Sequence, residues 1–293
     1  MAPIDTGRSI ELEATIAVPP GGVWKALTDP EELVRWFPLE ALVVPGVGGS
    51  MRLSWSEEIA ARSSIAIWEP GRHLRTVETK SFAARNNLTV SQSADLAVAA
   101  ESVKSIDYFM ASFETGTILR VEHSGFEDSC EEQSIESVRR GWEFELLSLQ
   151  VYLERHFGKP RSVAWVRRVL RTSPESIWER IMGPLGLLGV EGPENFATGG
   201  RCRMRTATGD EFEGTVRISD PPYQFAAVIE NLNHSLLRIK LDRSLAPDAI
   251  ELNFWLAAYG DFETKMKRTE ERWGALFDHV FEAAASPTAK GTH

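Results

Sequence analysis

The stretch that decides the fold occurs twice: GGSMRLSW at Gly48–Trp55 and GGRCRMRT at Gly199–Thr206, 151 positions apart. Each sets a glycine pair ahead of residues that alternate in polarity, the period-two signature of a strand with one face in a core and the other in water. Working outward, the same landmarks recur in the same order. Trp24 (GGVWKAL) and Trp178 (ESIWERI) differ by 154 positions, and Glu69-Pro70 and Asp220-Pro221 by 151. Trp142, Leu146, Leu149 and Leu153 are spaced four, three and four, as are Trp273, Phe277, Val280 and Ala284, and this spacing is one face of a helix. The chain reads as two copies of one domain, residues 1–158 and 159–286, followed by a tail, 287–293, expected to be disordered. The offset between the two helical faces is 131, so the first copy carries extra residues, assigned to the small polar run Ser81–Ser102 and read as an extended loop in preference to the alternative, a lid over a first cavity.

Within the first copy, Arg8–Val18 reads as a strand ended by Pro19-Pro20. A short helix follows around Val23, Trp24 and Leu27, then a second with Asp29 as N-cap and Pro30 at its first position. Strands are expected at Arg62–Glu69, His73–Thr79, Val103–Phe113 and Thr117–Ser124, with Thr115-Gly116 as a hairpin turn, and a long helix from Ser134 to His156. The second copy repeats the order: SVAWVRRVLR as strand, a helix capped by Ser173 with Pro174 behind it, strands from Arg201 to Leu256, and a closing helix from Asp261. The class is α+β, with the amphipathic helix covering the apolar face of a curved antiparallel sheet.

Composition narrows the functional classes. A net charge of −10 argues against nucleic acid as a partner, since such binding rests on a basic surface. No apolar run is long enough to span a bilayer, and the start lacks a basic region followed by an apolar one, so a cytoplasmic location is expected. Cys130 and Cys202 have no companions at metal-ligand spacing and read as small buried residues; neither a metal nor a cofactor is expected. The glycine pairs lead into strands rather than helices, so they read as turns and not as phosphate loops. Arg201, Arg203 and Arg205 make a basic stripe read as an internally paired or solvated face.

Three segments, ILRVEHSGF (Ile118–Phe126), GWEFELLSLQVYLE (Gly141–Glu154) and VWKALTDPEELVRWF (Val23–Phe37), resemble the START-like helix-grip superfamily (SRPBCC). Within it they are most similar to the branch named after the C-terminal domain of the heat-shock-chaperone ATPase activator. The resemblance implies two tandem helix-grip domains, each with a hydrophobic cavity between sheet and closing helix; it carries no catalytic motif over. The second copy lacks counterparts of the HSGF stretch and of Trp36-Phe37.

Alternation nominates the lining of such a cavity. In the first copy it is Met51, Leu53, Trp55, Phe109, Leu119 and Val121, faced by Trp142, Leu146 and Leu149. In the second it is Met204, Phe225, Ile229, Phe254 and Leu256, faced by Trp273 and Phe277. Stepping by two along the strands adds Asp107 and His123 as a possible acid–base pair, because histidine titrates near neutrality and a carboxylate can orient it. The reading taken is binding of a small hydrophobic molecule without catalysis. A cyclase- or aromatase-like enzyme acting on a polyketide-like or other apolar substrate is the alternative, and a chaperone-associated regulator the third.

Overall fold

The structure, a computed structural model, describes residues 8–57, 59–78, 104–126, 132–183, 186–189, 196–244 and 246–285. Ser81–Ser102, Cys130 and the tail 287–293 lie outside the described residues. The chain divides into two compact units, Met1–Gly158 and Lys159–His293.

The first unit runs β1 (Arg8–Ile16), α1 (Pro20–Thr28), α2 (Pro30–Leu33), β2 (Glu40–Val44), β3 (Ser50–Ser54), β4 (Ala60–Glu69), β5 (His73–Glu78), β6 (Ser105–Phe113), β7 (Gly116–Phe126) and α3 (Glu132–Val151), which passes into a π turn over Tyr152–His156. Its sheet has the order β1-β7-β6-β5-β4-β3-β2. The second unit runs β8 (Arg161–Leu170), α4 (Pro174–Met182), β9 (Arg201–Arg205), β10 (Glu211–Asp220), β11 (Gln224–Ile229), β12 (Ser235–Arg243), β13 (Ile250–Tyr259) and α5 (Glu263–Ala285), with the order β8-β13-β12-β11-β10-β9. All neighbouring strands are antiparallel. The two are one topology, a sheet closed by a long helix in each case. Strand β2, which the sequence reading missed, is an edge strand with Leu42 and Val44 exposed, and it has no counterpart among the described residues of the second unit.

The repeat extends to single hydrogen bonds. Gly48 N donates to Ile65 O (2.8 Å) and Ile65 N to Gly49 O (2.9 Å); in the second unit Gly199 N donates to Val216 O (2.8 Å) and Val216 N to Gly200 O (2.9 Å). The register shifts between Ile65 and Ile67 in one sheet and between Val216 and Ile218 in the other, at the same offset as the glycine pairs. The glycines are turns. Gly48 and Gly199 hold φ of +81° and +86°, where a side chain is strained, and a Cβ on Gly49 would lie 2.0 Å from Val44 O.

Each closing helix also satisfies the free edge of the first strand of its unit. Glu154 accepts from Ala17 N just beyond β1 (3.0 Å), and Glu270 accepts from Trp165 N in β8 (3.1 Å). In the last turn of α3, Ser148 donates to Trp36 O (2.7 Å), and Trp36 Nε1 donates to Ala26 O (2.9 Å), which ties α1 and α2 to the helix.

The interior of the second unit is packed. Met204, Phe225, Ile229, Phe254, Leu256, Trp273 and Phe277 all belong to one core with at most 2% exposure each. The rings of Phe254 and Trp273 approach to 3.5 Å between centroids, and the opening among Ile181, Leu187, Leu188, Thr206, Phe254, Trp273, Leu276 and Phe277 is about 10 Å³, space for one water at most. Outside, the basic stripe is neutralised by neighbouring carboxylates: Arg201 pairs with Glu230 just beyond β11 (2.5 Å), Arg203 with Glu213 (2.6 Å) and Arg205 with Glu211 (2.8 Å). Cys202 is buried, which pushes its thiol up to about 11.

Candidate functional site

The site is built on the helix-facing side of the first sheet. The β6–β7 hairpin sets which residues point there. Its loop is two residues long and Phe113 pairs with Gly116, so Met110 pairs with Leu119, Tyr108 with Val121, and Ile106 with His123. Cross-strand partners share a face. Leu119, Val121 and His123 therefore face the helix with Ile106, Tyr108 and Met110, while Phe109 and Asp107, paired with Arg120 and Glu122, face outward.

This corrects two expectations. Phe109 does not line the inner face, and Asp107 does not approach His123, because an odd-numbered residue of β6 is on the opposite side from an odd-numbered residue of β7. Asp107 instead lies 2.6 Å from His73 Nε2 and 3.0 Å from Arg75 Nε. The His73 ring stacks on Phe109 (4.3 Å), which in turn lies under the Arg120 guanidinium (4.2 Å). His73, Phe109 and Arg120, with Glu13, Glu69 and Arg72, line an open depression of about 410 Å³.

The other nominated residues of the first unit form two groups. Leu119, Val121, Met51, Trp142, Leu146 and Leu149 are buried, whereas Leu53 and Trp55 are only half-buried. Trp55 begins a line of rings. It meets Phe37 edge to face (5.1 Å), Phe37 meets Trp142 (6.0 Å), Trp142 meets His123 (6.2 Å), and His123 meets Phe126 (4.7 Å). Phe37 is half-buried as well, so the row of ring contacts starts at half-open Trp55 and reaches a nearly buried imidazole.

His123 is 8% exposed and its tautomer is assigned by its neighbour. Trp142 Nε1 lies 3.1 Å from His123 Nδ1. An indole nitrogen can only donate, so Nδ1 is the acceptor and the neutral ring carries its proton on Nε2. Burial, with the positive charge of Lys104 adding to it, lowers the imidazole to about 4, so it is neutral at neutral pH. Among the described residues Nε2 has no hydrogen-bond partner, and Glu78 Oε1 stands 4.0 Å away. Glu78 is the inner-face carboxylate that sequence reasoning missed. The signal was present: Leu74, Thr76 and Glu78 alternate along β5, and the first two are buried. Tyr108, buried beside Trp142 (5.9 Å), has its hydroxyl pushed up by burial and by the charge of Glu145.

The second unit treats the equivalent tryptophan differently. Trp273 Nε1 donates to Asp210 (3.2 Å), whose carboxylate also receives Thr208 and Arg272 (2.8 and 2.9 Å). Burial alone would raise this acid; those donors outweigh it and hold it below the usual carboxylate range. Among the described residues, no group of three or more His, Cys, Asp or Glu could hold a metal ion, and no helix is long and apolar enough to cross a membrane.

Residues 17–154, nearly all of the first unit, match the family model described as Activator of Hsp90 ATPase homolog 1-like protein. No curated protein matches the chain. Among solved structures, a protein from Mesorhizobium loti is 24% identical over 51% of this chain and 98% of its own (TM-score 0.40). The Aha1 dimer from Colwellia psychrerythraea is 17% identical over 52% and 99% (TM-score 0.41). DynU16, a putative protein in the dynemicin biosynthetic locus, is 16% identical over 96% and 98% (TM-score 0.40).

Proposed function

We propose that this chain, a tandem of START-like helix-grip domains, binds a small hydrophobic molecule on the inner face of its first unit and does not transform it. The observation that carries the reading is the contrast between the units. In the first, Leu53, Phe37 and Trp55 leave apolar surface half-open at the outer end of a row of ring contacts, whereas the corresponding interior of the second is packed around Phe254 and Trp273. Half-covered aromatic area of this kind gains from being removed from water, at about 25 cal/mol per Å². The second unit then serves as a filled partner domain rather than a second container.

The Glu78–His123 approach favours a second reading, an enzyme that moves a proton on the bound molecule, as a cyclase- or aromatase-like protein would. Against it stands the tautomer: with Nδ1 held by Trp142 and the proton on Nε2, His123 is a hydrogen-bond donor and not a free base. Association with a chaperone is the third reading and rests on the family description alone.

The test is native mass spectrometry of protein purified from its own host, with organic extraction, beside titration with N-phenylnaphthylamine, a neutral fluorescent hydrophobe. One apolar molecule per chain, or saturable fluorescence lost in Trp55→Ala and kept in Phe281→Ala, supports the proposal. Two per chain would place a second container in the second unit. Nothing released and no fluorescence gain would sink the binding reading.

A further inference from the structure

We infer that His123 selects the ligand by presenting Nε2–H to an acceptor, so that the molecule bound is an aromatic or polycyclic compound carrying a carbonyl oxygen rather than a plain hydrocarbon. The inference rests on the binding reading above and specifies the chemistry of the same site.

Four observations converge on it. Trp142 occupies Nδ1, which leaves Nε2–H as the only polar group the ring can offer. That group is unpartnered among the described residues although His123 is more than nine-tenths buried, and a buried donor without an acceptor is the exception in folded proteins. The groups facing the ring from the surrounding elements do not supply one: Ile106 on β6 and Ile10 on β1 are its cross-strand neighbours, and Phe126 lies against the ring. Glu78 on β5 stops at 4.0 Å, beyond hydrogen-bond reach.

The rest of the surroundings sort the ligand classes. A donor such as a ligand N–H finds no lone pair on His123. A ligand carboxylate would have to give up its hydration in so buried a place, and the charges near the ring, Glu78 against it and Lys104 for it, oppose one another. A carbonyl oxygen meets neither obstacle, and the rings of Trp142 and Phe126 packed against the imidazole favour a flat apolar body behind it.

Fluorene and fluorenone test this, because they share a tricyclic frame and differ by a methylene against a carbonyl. Binding is followed by tryptophan fluorescence in the full chain. Fluorenone should bind about tenfold more tightly, the size of one net hydrogen bond. His123→Phe should abolish the preference while keeping fluorene affinity, and His123→Gln should restore part of it, since the amide both accepts from Trp142 and donates. Independently of any variant, heteronuclear NMR of the free protein should find the proton of the His123 ring on Nε2.

Equal affinity of the native protein for the two probes, or a proton on Nδ1, overturns this inference and leaves binding itself intact. Failure of both probes to bind overturns the inference together with the reading it rests on.

Discussion

Lowering the pH from about 7 to about 4 should cost the first unit roughly 3 kcal/mol through His123 alone. The magnitude follows from an imidazole at about 4 in the folded state against 6.5 when solvated, at about 1.4 kcal/mol for each pH unit. The sign follows from proton uptake. In the window between those two values the unfolded chain protonates His123 and the folded chain does not, so acid favours unfolding. Stability is therefore complete above about 6.5, falls as pH drops, and levels off once the folded imidazole also protonates near 4. The charged groups facing the ring are Lys104, which opposes protonation, and Glu78, too distant to hold the imidazolium by a hydrogen bond. The assay is urea unfolding of the native protein and His123→Gln at a series of pH values, with the imidazole titrated directly by NMR. Gln keeps the contact with Trp142 and removes the titration, so the pH dependence of the difference belongs to His123. Parallel curves for the two proteins, or an imidazole titrating near its ordinary value, would refute the argument.

Two further substitutions probe the scaffold. Glu32, 3% exposed, receives Lys25 (3.0 Å), Arg35 (2.9 Å) and the Tyr152 hydroxyl; burial tends to raise its acid, but these donors prevail and lower it. Glu32→Gln should destabilise the first unit by about 3 kcal/mol in urea unfolding at neutral pH, and the deficit should shrink in acid as the native carboxylate protonates. Gly49→Ala should cost more than about 2 kcal/mol because its Cβ meets a backbone carbonyl, whereas Gly21→Ala, with open space around it in α1, should be neutral or mildly stabilising by the same measurement.

The architecture was legible because its signals are local and duplicated. The Gly48–Trp55 and Gly199–Thr206 stretches gave strand, turn and repeat together, and the four-three-four spacing after Trp142 and Trp273 gave both closing helices. The misplacement of Phe109 and Asp107 has a simple origin. Any two-residue hairpin loop pairs an even position with an odd one, so Leu119 and Phe109 could not share a face even with the turn set at Thr115-Gly116. The packed state of the second interior was not legible, since Phe254 and Trp273 have the composition of a cavity wall and of a core alike. Nor was the Trp142–His123 bond, which joins a helix to a strand and leaves no trace in local spacing. Strand β2 escaped because an exposed edge strand has little apolar alternation to betray it.

The two closing helices differ in one respect that bears on how the chain assembles itself. Two sheets of like topology on one chain compete, as folding proceeds, for two helices of like pattern, and exchange between repeats is a characteristic failure of such proteins. With Trp142 and Trp273 as matching positions, Asp278 corresponds to buried Leu147 and Arg272 to Gly141. Putting α5 against the first sheet would bury the Asp278 carboxylate away from Arg168, which it meets at 2.5 Å in its own unit. Putting α3 against the second would leave Asp210 without the guanidinium it now has at 2.9 Å. Each exchange strands a charge, so the charges that distinguish the helices work as a lock and key for intramolecular docking, rejecting the wrong helix even though the apolar stripes of both would fit.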